Sequence, residues 1–158
     1  MTVVTTVARL ALNYGEISGI GTVFEKIPRV ISPAQCPALI IEPGAGTIDT
    51  ASSGTGELIE TRTYTATLFV QPAAFGSETQ GETATLVFFD RVRDYFVGRR
   101  GLELDDVSGE DAYWLAEFVG DSGYVYQDYW VSDKDTGRFH AIRFTHRIQE
   151  FVSVTYKD

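Results

Sequence analysis

The residues equipped for chemistry are a serine within Gly120-Asp121-Ser122-Gly123, histidines at 140 and 146, a cysteine at 36, and a dense set of acids between Glu103 and Asp135. The Gly-Asp-Ser-Gly setting is that of an activated nucleophile in one class of serine proteases, whose histidine base and aspartate both precede the serine. Here both histidines follow it, no oxyanion donor can be named, and the composition is that of a tight turn. Asp133-Lys-Asp-Thr-Gly137 begins like a calcium loop. It has no third acid, its glycine comes one place early, and no closing glutamate follows, so it also reads as a turn. His140 and His146 share one parity of a strand. At a rise of ~3.3 Å per residue they stand roughly 20 Å apart, too far to ligate one metal, and are expected as satisfied core or edge histidines. Glu103, Asp105, Asp106, Glu110 and Asp111 could supply a general acid/base pair only inside a pocket that raises one pKa, and acid clusters are more often solvated. Cys36, between Pro33 and Pro37, has no basic neighbourhood to make it a nucleophile and is expected as an inert, buried thiol. Gly19-Ile-Gly21 and Gly44-Ala-Gly46 fit neither a dinucleotide nor a phosphate-loop fingerprint. These residues predict no catalytic, cofactor-binding or metal site.

Composition narrows the classes further. The 158 residues are 44% hydrophobic and 13% aromatic, which allows one domain over 1–158 with a substantial core. Thirteen Lys+Arg against 22 Asp+Glu give a net charge of −9, which argues against a surface built to grip nucleic acid or anionic lipid, since phosphate binding needs clustered cations. An acidic wall still lets nucleic acid pass without sticking. One cysteine excludes an internal disulfide, and neither a leader pattern nor a run of about 20 apolar residues is present, so a soluble protein made in the cytoplasm is expected.

The elements that would hold these residues are set by periodicity. In Thr61–Gln71, Tyr64, Ala66, Leu68 and Val70 alternate with Thr61, Thr63, Thr65 and Thr67, the period of a strand with one buried face. In Thr83–Val97, Phe88, Phe89, Val92, Tyr95 and Phe96 form one helical stripe while Asp90, Arg93 and Asp94 point away, and the apolar face of the preceding strand is its natural partner. Ser77 to Gln80 and Thr79 to Glu82 have capping-box spacing, Gly98 can end the helix, and Arg99 and Arg100 suit its C-terminal dipole. Residues 2–14 carry Val4, Val7, Ala8, Ala11 and Tyr14 at helical spacing with Thr2 as N-cap, although their β-branched content leaves a strand open. Ile27–Pro33 is a proline-stiffened connector, and Pro37–Pro43 is a short strand bounded by prolines. Gly44–Gly56 is nearly all Gly, Ala, Ser and Thr, and is expected as a flexible loop that is either mobile or a contact element.

Tyr113–Val119 and Tyr124–Val131, separated by Gly120–Gly123, predict a hairpin over 113–131, and Ser132–Gly137 reverses the chain again. The closing run alternates His140, Ile142, Phe144, His146 and Ile148 with Phe139, Ala141, Arg143, Thr145 and Arg147, predicting a strand deep in the sheet, whose Arg143 and Arg147 could pair with acids of that hairpin. The order of elements gives an α+β fold, a mostly antiparallel sheet of four to five strands with two helices packed on one face. Trp114, Tyr124, Tyr126, Tyr129 and Trp130 are either packed by the helices or held for another chain, and are the candidate assembly interface.

In this order and wording, the N-terminal helix, the Ile27-Pro28 connector, Ala38-Leu-Ile-Ile-Glu42, the Gly-rich loop, the Thr-alternating strand, the helix at Phe88-Phe-Asp-Arg-Val92 and Phe139-His-Ala-Ile-Arg-Phe144 resemble the tail terminator, or tail completion, proteins of long-tailed bacteriophages. The resemblance spans nearly the whole chain and is one of pattern, without an invariant motif. It implies a non-enzymatic structural virion protein with no cofactor. Such a protein forms a homohexameric ring on the last ring of the tail tube, stops tube growth, and joins the tail to the neck or head-completion protein. Its partners would be itself, the tube protein and the neck, with DNA passing through unbound and no membrane involved, and its place the head-proximal end of the tail. The 44–56 loop and the 120–137 region would be contact elements. The short β-branched first helix and the long loop depart from that pattern, which keeps a tail-tube or neck-connector role as the alternative.

Overall fold

The computed structural model describes residues 3–49, 57–74, 78–97, 113–118 and 123–153. Nine elements follow in chain order: α1 (Val3–Gly15), β1 (Thr22–Phe24), a 3-10 turn (Pro33–Gln35), β2 (Ala38–Asp49), β3 (Glu57–Pro72), α2 (Glu78–Phe96), β4 (Tyr113–Phe118), β5 (Gly123–Trp130) and β6 (Thr136–Ser153). The fold is α+β. Six strands occupy five positions in the order β1-β2-β3-β6-β4, with β5 also on β6, and only the β1–β2 pair is parallel.

The alternation expected in β3 and β6 is what sorts the two faces of the sheet. Tyr64, Ala66, Leu68, Val70, Ile142, Phe144 and Ile148 join Leu39 and Ile41 beneath Val7, Leu10, Ala11 and Tyr14 of α1 and Phe88, Val92 and Phe96 of α2. Both helices therefore cover one face. A smaller core lies on the other face, where Ile31, Ala38, Ile40, Phe69, Phe139 and Ala141 are closed over by Phe24, Cys36, Val125, Tyr129 and Val131. The proline-stiffened connector straps this second core: the Ile31 N–H donates to the Trp130 carbonyl at 2.8 Å, and the Tyr129 hydroxyl donates to the Pro28 carbonyl.

Helix α1 wins over a strand because Thr6, Val7, Leu10, Ala11, Asn13 and Tyr14 are buried at i, i+3, i+4, i+7 spacing, which a strand would split between two faces. Helix α2 begins at Glu78, five residues earlier than its apolar stripe predicts, and runs along β6. Gly81 sits on His140, Phe89 stacks on Phe144 at 6.0 Å, and Phe96 meets His146 edge-on at 4.8 Å. The two helices are tied by the Tyr95 hydroxyl, which donates to Asn13 Oδ1 at 3.1 Å or Glu16 Oε2 at 3.0 Å. Arg91 donates to the Ser18 carbonyl in the turn after α1, where Gly19 holds a φ of 93° under the Arg91 and Phe88 side chains.

Two expectations are corrected. Strands β4 and β5 do not form a hairpin with each other. Tyr113–Phe118 is antiparallel to Glu150–His146, and Gly123–Trp130 is antiparallel to Arg143–Thr136, so the two runs lie one after the other along the same edge of β6. Each aromatic run finds a better neighbour in the long apolar β6 than in the other. The hairpin that exists joins β5 to β6 through Val131–Asp135, where Val131 and Ser132 N–H donate to the Asp135 carbonyl. Nor is all of 44–56 a loop. Gly44–Asp49 continues β2, paired with β3 as far as Asp49 opposite Ile59, after a register shift between Pro43 and Gly46. Arg62 pins that shift, donating to the Gly44 carbonyl at 2.8 Å and pairing with Glu60. Backbone pairing along a committed β3 outweighs weak side-chain propensity.

Candidate functional site

Both histidines are fully buried on the helix-covered face, as a core reading expects, although His140 is not fully satisfied there. His146 Nε2 lies 2.5 Å from the Tyr14 hydroxyl, and its ring is flanked by Tyr14 and Phe96. Burial in this apolar layer drives its pKa down to about 3 and raises that of Tyr14, so at neutral pH both are uncharged. His140 Nδ1 lies 2.6 Å from the Tyr124 hydroxyl, while its buried Nε2 has no hydrogen-bond partner and faces α2. A Cβ on Gly81 would fall 2.2 Å from that Nε2, so only glycine lets the first turn of α2 rest on the ring. Ordinarily Gly→Ala in a helix gains about 1 kcal/mol. At this position Gly81→Ala should instead lose about 2 kcal/mol, read from the denaturation midpoint. Adding His140→Ala to the same chain should recover most of that loss.

Sequence reasoning missed Glu150, which continues the parity of His146 and Ile148 and is 1% exposed. Its Oε1 accepts from the Thr6 hydroxyl at 2.7 Å and from the Tyr64 hydroxyl, joining α1, β3 and β6. Burial first, and then the bond to Glu150, raises the Tyr64 pKa well above the phenol range. Extending the alternation by one more step would have placed this carboxylate under α1. The arrangement ties three elements together.

The other chemical candidates fall as follows. Among the described residues no group of three His, Cys, Asp or Glu is placed to hold a metal ion. Ser122 and the acids from Glu103 to Asp111 lie outside the described residues. Asp133–Gly137 makes the β5–β6 turn, in which Ser132 Oγ accepts from the N–H groups of Lys134 and Asp135. Cys36 is half-buried near the Ser32 carbonyl, and burial pushes its thiol up to about 11, the opposite of nucleophile activation. Among the described residues Arg143 donates to Gln127 Oε1 at 2.9 Å, while Arg138 takes Asp128 at 2.9 Å across β5–β6.

The aromatic set divides. Tyr124 and Tyr129 are used within the fold, through His140 and the Pro28 carbonyl. Tyr126 and Trp130 stay 43% and 50% exposed on the β5 edge, with the Arg138 guanidinium 5.1 Å above the Tyr126 ring. Trp114 lies in β4 opposite Gln149, and its side chain is outside the described residues. Trp130, Val30 and Arg29 line a hollow of about 190 Å³ beside the β5–β6 turn, where Arg29 meets Asp133 at 3.2 Å and Ile27 is exposed nearby. Such an exposed pair at the rim adds little stability by itself. At the opposite end of the sheet, Glu42–Ile48 of β2 is exposed throughout, and Ile48 is 54% accessible.

No protein-family model matches this chain, and no curated protein matches it in sequence. The surface is therefore what carries a reading of function. Among the described residues Ile48 is exposed at one end of the long strands and Ile27, Tyr126 and Trp130 towards the other, while Leu12, Leu86, Val87 and Val97 are exposed on or just after the helices; His146 and Tyr14, whose pKa values burial shifts strongly, are wholly buried. No helix is long and apolar enough to cross a membrane.

Proposed function

We propose that this chain is a structural ring subunit of a long-tailed bacteriophage tail, and specifically the terminator that caps the head-proximal end of the tube and meets the neck. The observation that carries the reading is the separation of two unlike exposed surfaces along one sheet. The exposed β2 extension with Ile48 lies at one end, and Trp130, Ile27 and the hollow beside Arg29 lie at the other. Unlike surfaces on opposite sides of a subunit make heterologous contacts, which close into rings when the rotation allows and otherwise run on as filaments. Exposed Trp, Tyr and Arg are the residue types that dominate such contacts. The resemblance in element order supplies the viral setting, and the net charge of −9 fits a ring through which DNA passes without being held. In this reading the protein needs no reacting group or cofactor; its partners are copies of itself, the tube protein and the neck protein.

The β2 extension also suits a tube or neck-connector subunit, which is the second reading. Native mass spectrometry with negative-stain imaging separates the readings: closed hexamers are expected for the terminator and filaments for a tube protein. A monomer at all concentrations would overturn both. Trp130→Ala should leave the fold intact, because half of that side chain is already exposed, and should weaken ring formation by about 2 kcal/mol per contact, roughly thirtyfold in the assembly midpoint. An unchanged midpoint would remove Trp130 from the interface.

A further inference from the structure

We propose that the hollow beside the β5–β6 turn receives residues 154–158 of a second copy of this chain, with the Tyr156 ring of that copy seated against Trp130. The inference rests on the ring reading for the second copy, and it names one contact that neighbours in the ring would make. Trp130 and Val30 give the hollow an apolar wall, Ser132 lies beside them, and Arg29 and Asp133 bring opposite charges 3.2 Å apart to its rim. Its volume of about 190 Å³ holds one large side chain, not a folded element. The side chains of Arg29 and Asp133 are 84% and 69% exposed, so their pairing stabilises the fold little and either can change partner at small cost.

Charge and chain length together single out the occupant. Beyond Ser153, the last residue of β6, the sequence runs Val154-Thr155-Tyr156-Lys157-Asp158. Lys157 is opposite in sign to Asp133 and Asp158 to Arg29, so docking exchanges one exposed ion pair for two. The aromatic just before them belongs to the class that anchors interfaces, its ring burying against Trp130 while its hydroxyl stays in water. The larger groove between α1 and β1, about 440 Å³, is lined by Glu16 and Glu25 with no cation among the described residues, and would repel Asp158.

The segment cannot take this place on its own chain. Trp130 stands opposite Thr136 at the start of β6, whereas Ser153 stands opposite Glu57 at the far end. From Thr136 to Ser153 the strand covers roughly 55 Å at ~3.3 Å per residue, while Tyr156 reaches only about 11 Å past Ser153 and Asp158 about 18 Å. The contact therefore joins two copies and is heterologous: each gives a segment at one end of its sheet and receives one at the other.

Cysteine pairing reads this contact on the full chain. In a Cys36→Ser background, Val30→Cys together with Tyr156→Cys should give a ladder of disulfide-linked multiples on mild oxidation, since the two cysteines can join only when their Cα atoms come within about 7 Å. Either cysteine alone should give at least about tenfold less linked product. Closed hexamers that form without this link overturn the inference and leave the ring reading standing. Linked multiples in a sample without closed hexamers support the contact and overturn the terminator. A link found only within single chains, or none at any concentration, overturns the inference. Should the cysteine variant fail to fold, Tyr156→Ala decides through the assembly midpoint, which it should raise by at least about tenfold. Combined with Trp130→Ala it should add little to the effect of Trp130→Ala alone, because both remove the same contact. A midpoint unchanged by Tyr156→Ala, effects that multiply, or an absence of any assembly would each overturn the proposal.

Discussion

Glu150→Ala is expected to destabilise the protein by about 3–5 kcal/mol, measured as a fall in the denaturant midpoint at pH 7. The substitution removes the acceptor shared by the Thr6 and Tyr64 hydroxyls and leaves both buried, with a void where the side chain was. Glu150→Gln keeps an amide oxygen in the same place and should lose only about 1–2 kcal/mol. The contrast between the two separates the hydrogen-bonded position from the bulk of the residue. A loss under about 1 kcal/mol for alanine would mean that α1 does not depend on this carboxylate. Glu150 matters to the proposed ring only indirectly, through the seating of α1 on the sheet.

The second large effect is in pH. His146 has a folded pKa near 3 because burial opposes its charge, against about 6.5 when unfolded. Its contribution is thus complete above pH 6.5 and declines as the pH falls towards 3, the unfolded chain taking up the proton first. The full difference is on the order of 5 kcal/mol. Wild type and His146→Leu should therefore differ in slope: the variant starts less stable at pH 7, having lost the Tyr14 contact, and then loses less on acidification. Parallel stability curves from pH 7 to 3 would show that His146 is not the proton-binding group. Carboxylates that titrate in the same range are common to both proteins and cancel in the comparison.

What the sequence made legible is what side-chain periodicity controls. Strands β3 and β6 and helix α2 each carry a period that only one face can satisfy, so their buried residues could be named from spacing alone. The partner of a strand is another matter. Gly120–Gly123 has the composition of a reversal, and nothing in Tyr113–Val119 or Tyr124–Val131 says that each would choose β6 over the other. The extension of β2 through Gly44–Asp49 was illegible for the opposite reason: Gly, Ala and Thr carry no period, and the backbone ladder to β3 supplies the order. Of the candidate interface, the sequence could list the aromatics but not divide them. Which hydroxyl finds a buried imidazole and which ring is left outside depends on where the β5 edge ends beneath α2. Gly81 gave no signal, since its role lies wholly in what sits opposite it.

Strand β6 lies between β3 and the β4–β5 edge, so β4 and β5 take their ladder bonds from it and β3 takes those of one side. The ribosome delivers it after all of them. Until residues 136–153 have left the exit tunnel, β4 and β5 have no strand to lie against and β3 has one side bare. Until then the emerging chain presents sticky, half-made sheet, and a holding chaperone would find it a natural client during that interval.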